Sequence, residues 1–267
     1  MVSPIELVEL SIGECMAIGL WKRSPDRRPL AIAHRGGAAL AAENSISAFK
    51  TATAAGVDAI ETDVRLTRDG VPVCVHDPDL SRLCGDARTV SDLDLATLRS
   101  LLPSIMTLGD ALAASDPLGI LLDIKLSHEG QIAQIISDVA QRGAMRRALI
   151  GLRSIALIDT TRRLSKDVAI LAFLEDPACA DAARAAGADW FRLWQGWATP
   201  AVSDAVREAG MRVAVMVGQP RSIALPEYPP FPVGQVDQYG LERILAIKPD
   251  AILLDDPRMM TRPTVST

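Results

Sequence analysis

One phrase recurs along this chain: a helical pattern ends, a short turn follows, and an apolar run begins. Ala55-Gly56-Val57-Asp58 leads into AIETDV, Ala186-Gly187-Ala188-Asp189 into WFRLW, Ala209-Gly210-Met211 into RVAVMV, and Lys248-Pro249-Asp250 into AILLD. Short apolar runs without polar alternation mark strands buried on both faces, as in parallel sheets. Further runs read at Leu30 to Ala33, at 119–125 (GILLDIK), 148–152 (ALIGL) and 168–173 (VAILAF). Strands therefore start near 30, 59, 119, 148, 168, 190, 212 and 251, with helical patterns near 46–55, 107–115, 129–142, 154–164, 178–186, 200–209 and 238–247. Strand and helix alternating through eight strands predict an α/β fold of the closed (β/α)8 type, a TIM barrel. An open dinucleotide-binding sheet is disfavoured, because no GxGxxG follows the first strand.

The 267 residues are 49% hydrophobic and only 4% aromatic, so one large, mainly aliphatic core is expected. The expected organisation is a single barrel domain over 1–267, with an N-terminal helix and linker at 1–29, a barrel core at 30–257 and a tail at 258–267. Residues 4–20 suit an amphipathic helix, with Pro4 in the first turn, placed to plug the barrel floor or to cover for a missing eighth helix. Residues 219–237 form a proline-rich loop after the seventh strand, on the face where barrel enzymes do their chemistry.

One apolar run, VPVCVH at 71–76, is left over. Only Leu66 to Gly70 separate it from the second strand, too few for a parallel crossover, and Asp69-Gly70 is a hairpin signal. The run is predicted to fold back antiparallel on the second strand, with Asp63 and His76 opposite each other.

Functional side chains of such barrels gather at the C-terminal strand ends. There the sequence puts His34 and Arg35 on strand one, Glu61 and Asp63 on strand two, and Asp123 and Lys125 on strand three. The i, i+2 spacing points each pair to one face. The hairpin brings His76, the second of the chain's three histidines. Glu61, Asp63 and Asp123 offer hard oxygen ligands suited to Mg2+ or Ca2+. His34 and His76 can exchange protons near neutral pH, and Arg35 and Lys125 can hold an anion. Trp194 ends a strand where it can wall a substrate pocket, whereas His128 reads as surface. Metal, paired acid and base, and cationic clamp together describe phosphoester chemistry on a small molecule.

Other classes are disfavoured. A net charge of −5 without blocks of like charge argues against a nucleic-acid partner. Cys15, Cys74, Cys84 and Cys179 show no CxxC or zinc spacing; Cys74 reads as a small core residue, and a reduced compartment is expected. No run approaches a membrane span, and Glu6, Glu9 and Glu14 stand where a secretory signal would be basic, so a soluble, cytoplasmic protein is expected. Nothing in the sequence fixes the oligomeric state.

HRG at 34–36, ENS at 43–45, IETDVRLTRDGVPVCVHDPDLSR at 60–82, LLDIK at 121–125 and DAILLDDP at 250–257 together resemble the glycerophosphodiester phosphodiesterase family, across nearly the whole barrel. The resemblance implies hydrolysis of glycerophosphodiesters to sn-glycerol 3-phosphate and an alcohol with a divalent cation. It implies His34 and His76 as the acid/base pair, Arg35 and Lys125 as phosphate contacts, and Glu61 and Asp63 as metal ligands. The family's third ligand is usually Glu, one methylene longer than Asp123. The stretch between His76 and Lys125 is short for the family, so a reduced insertion is expected. Val215-Met216-Val217-Gly218 stands where the family carries W-T-x-N, leaving Trp194 or the proline-rich loop to supply the aromatic wall. Two further readings fit the same residues: a barrel whose reaction stops at a cyclic phosphate, and an idle phosphoester-binding barrel.

Overall fold

The computed structural model of the chain describes residues 19–22, 28–126, 128–220 and 231–261. The helix expected over 4–20, except its last two positions, lies outside the described residues, as do 221–230 of the proline-rich loop and 262–267 of the tail.

Eleven strands are described: β1 (Leu30–Ala33), β2 (Ala59–Leu66), β3 (Pro72–Cys74), β4 (Asp79–Leu80), β5 (Asp86–Thr89), β6 (Gly119–Ile124), β7 (Ala148–Leu152), β8 (Ala169–Ala172), β9 (Trp190–Trp194), β10 (Arg212–Met216) and β11 (Ala251–Leu254). β1, β11, β10, β9, β8, β7, β6 and β2 pair in that order, all in parallel, and β1 pairs with β2 to close the eight-stranded barrel. The helices between them start where the sequence supplies caps. Ser45, Thr107, Ser154, Thr199 and Asp237 each accept a hydrogen bond from a backbone N–H of the first turn, which satisfies a donor the helix cannot. After β11 a one-turn helix, Arg258–Thr261, stands where the sequence suggested only a tail.

Period two along each strand produces two cores. Ile60, Leu122, Ile150, Phe191, Val213 and Ile252 face the surrounding helices. Ile32, Ala59, Leu121, Leu149, Leu171, Trp190, Ala214 and Leu253 fill the lumen. The lumen ends below at Trp21, whose ring meets Trp190 edge-on at 5.9 Å. The Trp21 indole donates to Arg147 O at 2.8 Å, and its own carbonyl accepts from Trp190 Nε1 and Arg212 Nη1. Gly119 makes this possible, because a Cβ there would lie 2.3 Å from Leu20 Cδ2 and 3.0 Å from the Trp21 ring.

β3 pairs antiparallel with the end of β2, as the Asp69-Gly70 turn dictates, but Val64 pairs with Cys74. Asp63 therefore stands opposite Val75, whose N–H donates to its carbonyl, and His76 lies one residue further on. The insertion that follows is short yet has its own core. β4 and β5 and the helices Ser81–Cys84 and Leu95–Leu101 enclose Val73, Val75, Leu80, Val90, Leu93 and Leu98. Cys74 is buried, as expected of a small core residue.

Candidate active site

The expected site residues gather at the C-terminal mouth of the barrel: the β2–β3 hairpin brings His76, and each of the others is carried there by its strand or the turn just after it. β1 ends at Ala33, and a tight turn over His34–Gly36 follows, with Arg35 at φ +50°. A left-handed conformation at a non-glycine residue is costly and is held only where surrounding contacts enforce it. Here the enforcing contact is the Arg35 backbone N–H, which donates to Glu61 Oε2 at 2.6 Å. The turn thereby ties β1 to the acidic end of β2 and buries the Arg35 side chain, which is 2% exposed.

Glu61, Asp63 and Asp123 are buried, and one oxygen from each lies within 4.8 Å of the others. This is a hard-donor cluster of a size that fits a divalent cation. Its charge is partly balanced by the protein: Lys125 Nζ bridges Asp63, at 3.0 Å, and Asp123. Arg153 grips Asp123 with both Nε, at 3.1 Å, and Nη2, at 2.5 Å. Burial and the charge of Asp63 push the Glu61 carboxyl up to about 7. Burial works the same way on Asp63 and Asp123, but Lys125 in both cases, with His76 and Arg35 on Asp63 and Arg153 on Asp123, outweighs it and holds both below their usual range.

The two histidines are held alike and biased oppositely. His34 Nδ1 meets Asp255 Oδ1 at 2.7 Å, and His76 Nδ1 meets Asp77 Oδ1 at 2.7 Å. Each Nε2 is thus the ring nitrogen left for substrate. Burial lowers the His34 pKa, yet the Asp255 hydrogen bond and the charges of Glu61 and Asp255 more than offset it, and His34 ends above its ordinary value. Burial also lowers His76, and Arg35 and Lys125 add to the effect against Asp63 and Asp77, so His76 falls to about 4.

One cavity of about 430 Å³ collects His34, Arg35, Asp63, His76, Asp123, Lys125 and Trp194, so seven of the eight expected side chains line it and the eighth, Glu61, lies behind Arg35. A second cavity of about 390 Å³ shares His34 and Arg35 and is walled by Gln219, Pro220, Phe231, Pro232 and Val233, so both described ends of the proline-rich loop border the mouth. His128 is exposed, as expected. Trp190 is core, whereas Trp194 and Trp197 are partly exposed, and of these only Trp194 lines the 430 Å³ cavity.

Three partners, Asn44, Arg153 and Arg192, were not anticipated. Asn44, at φ +52°, donates from Nδ2 to Asp63 Oδ2 at 3.0 Å and accepts from Thr62 Oγ1 at 2.6 Å, fixing the carboxylate. Asp255, which the sequence places at the end of the last strand either capping the turn before Pro257 or facing the site, orients His34. Arg153 and Arg192 reach the cavity from β7 and β9, and an arginine beside an apolar run gives no local cue to such a role.

Among known proteins, the sequence pattern of the "Glycerophosphoryl diester phosphodiesterase family" matches residues 34–215. A Mycobacterium tuberculosis protein named "Probable glycerophosphodiester phosphodiesterase 1" is 48% identical over 73 residues, which span 27% of this chain and 27% of that relative's length. A crystal structure of a glycerophosphodiester phosphodiesterase from Agrobacterium tumefaciens superposes with a TM-score of 0.71 at 20% identity, covering 88% of this chain and 100% of the other. An Oleispira antarctica phosphodiesterase, solved in complex with the product sn-glycerol-3-phosphate, superposes with a TM-score of 0.70 at 20% identity, covering 86% of this chain and 94% of the other. At such identities the superpositions establish the barrel alone.

Proposed function

The chain belongs to the glycerophosphoryl diester phosphodiesterase family, and we propose that it hydrolyses glycerophosphodiesters to sn-glycerol 3-phosphate and an alcohol. The observation that carries the proposal is the buried trio Glu61, Asp63 and Asp123 beside a cavity lined by His34, His76, Arg35 and Lys125. Glu61, Asp63 and Asp123 would hold a divalent cation, Mg2+ or Ca2+. When bound, it supplies positive charge that polarises the phosphoryl oxygens.

The chain's own residues do the rest. Arg35 and Lys125 hold the diester phosphate against the acidic cluster. His76, biased towards its neutral form, accepts the proton of the attacking hydroxyl at Nε2 as the new P–O bond forms. His34, biased towards its protonated form and held by Asp255, gives its proton to the alkoxide as the P–O bond to the alcohol breaks. The next turnover begins once His34 has regained a proton and His76 has lost one. Attack by water gives glycerol 3-phosphate directly. Attack by the substrate's 2-hydroxyl gives a cyclic phosphate that is hydrolysed afterwards, and 31P NMR of a single turnover separates the two routes.

The test is release of glycerol 3-phosphate from defined diesters with and without EDTA. Activity that is lost in EDTA and restored by Mg2+ or Ca2+ is the expected result. Release from no diester with any of these cations would sink the proposal.

A further inference from the structure

The proposed chemistry has one anion to recognise, the diester phosphate, and Arg35, Lys125 and the acidic cluster's cation suffice for it. The same cavity has a second cationic wall that this chemistry leaves unused. Arg192 lies between Trp190 and Trp194 on β9, on the face of the strand that looks into the lumen, and it is 2% exposed. Its guanidinium sits 4.3 Å from the Trp194 ring centroid and 5.6 Å from that of Phe173. Arg153 lies 5.4 Å from the same Phe173 centroid. Among the described residues, Arg192 Nε and Nη1 have no hydrogen-bond partner. Nη2 has a long bond, 3.3 Å, to Glu175 Oε1, while Glu175 Oε2 accepts from Trp194 Nε1 at 3.1 Å.

A buried cation compensated this weakly is costly unless an anion completes its shell. The Glu175 side chain is 55% exposed, so it can leave without disturbing the core. Its carboxylate touches the two groups, a guanidinium and an indole N–H, that an incoming oxyanion would use. An ammonium head group fits poorly, because the aromatic rings that would cage it already carry guanidinium groups.

We propose that the Arg192 side of the cavity is a second anion subsite, so that the preferred diesters carry a carboxylate or phosphate on the alcohol that leaves. This rests on the diesterase reading above. In it, Glu175 is a built-in competitor that holds Arg192 until substrate displaces it.

The experiment compares kcat/KM for four diesters with the whole chain in saturating Mg2+: glycerophosphoglycerol, glycerophosphocholine, glycerophosphoglycolate and the phosphate ester of glycerophosphoglycerol. The expected result is a preference of roughly tenfold or more for an anionic head group over glycerophosphoglycerol, the gain of one charge-assisted contact. The better of the glycolate and phosphate compounds identifies which oxyanion the subsite takes. Arg192→Met should lower the anionic-to-uncharged ratio about tenfold. Glu175→Gln should raise it, and because Glu175 is half exposed, this variant decides the matter even if Arg192→Met does not fold. Preference for choline, absence of preference, or a ratio that falls or stays level in Glu175→Gln overturns the subsite alone. Release from no diester overturns the diesterase reading and the subsite with it.

Discussion

The floor and the mouth of this barrel are built by the same strands, on the same inward face, two residues apart. On β2 the inward series runs Ala59, Glu61, Asp63; on β6 it runs Gly119, Leu121, Asp123; on β9, Trp190, Arg192, Trp194. Beyond β1 and β11 it ends in His34 and Asp255 after Ile32 and Leu253. Nearly all of these side chains are as buried as one another, so burial does not separate the layers. Chemistry does. The floor is apolar and gains free energy from exclusion of water. The mouth holds three carboxylates and several cations that must satisfy one another, an arrangement that contributes little net stability and is retained for what it binds.

The sharpest way to break this contrast is to damage each layer and read both activity and stability. His34→Ala and His76→Ala should each lower glycerol 3-phosphate release by about 10²- to 10⁴-fold while leaving the thermal transition nearly in place. A variant with full turnover would remove that histidine from the proton-transfer role. Trp190→Ala, at the floor, should do the reverse, costing about 3–5 kcal/mol in urea unfolding while the protein that remains folded still turns over. If Trp190→Ala unfolds no more easily than the native chain, the floor is not the stabilising layer.

A subtler contrast lies within the mouth. Glu61 has a folded pKa near 7, above its unfolded value, so its contribution is fully present below the unfolded pKa and is lost as pH rises through about 7. In EDTA, Glu61→Gln should therefore gain on the native protein as pH rises through that window, by up to about 1.4 kcal/mol per pH unit. A pH-independent difference between the two would mean that burial and the charge of Asp63 do not raise the Glu61 carboxyl. Smaller still is the effect of Asp255→Asn. As the proposed acid His34 must be protonated, so kcat/KM should fall as pH rises through its raised pKa. Removing the Asp255 charge should move that alkaline limb towards acid. An unmoved limb would assign it to another group.

Much of this was legible in the sequence because period and punctuation are local. The parallel strands begin within a residue of where the apolar runs do, and the i, i+2 acids fell on one face as strand geometry requires. What was not legible depends on non-local fit. The hairpin register shifted by one because the turn closes with Thr67 and Val71, which pair as the chain reverses, and no composition rule fixes that choice. The insertion's own core comes from scattered residues such as Val73, Leu80 and Leu98, too sparse to form a periodic signal. Arg153 and Arg192 read as ordinary cations until closure of the sheet aimed them into one cavity.

Trp21 gives the barrel a sealed base, wedged between Trp190 and Arg147. Among the described residues the lumen is therefore a cul-de-sac. In the proposed reaction, diester, water and both products would share the doorway bordered by the described ends of the proline-rich loop. Each departing product contends with the next arrival for the same opening, so both products should inhibit in competition with substrate.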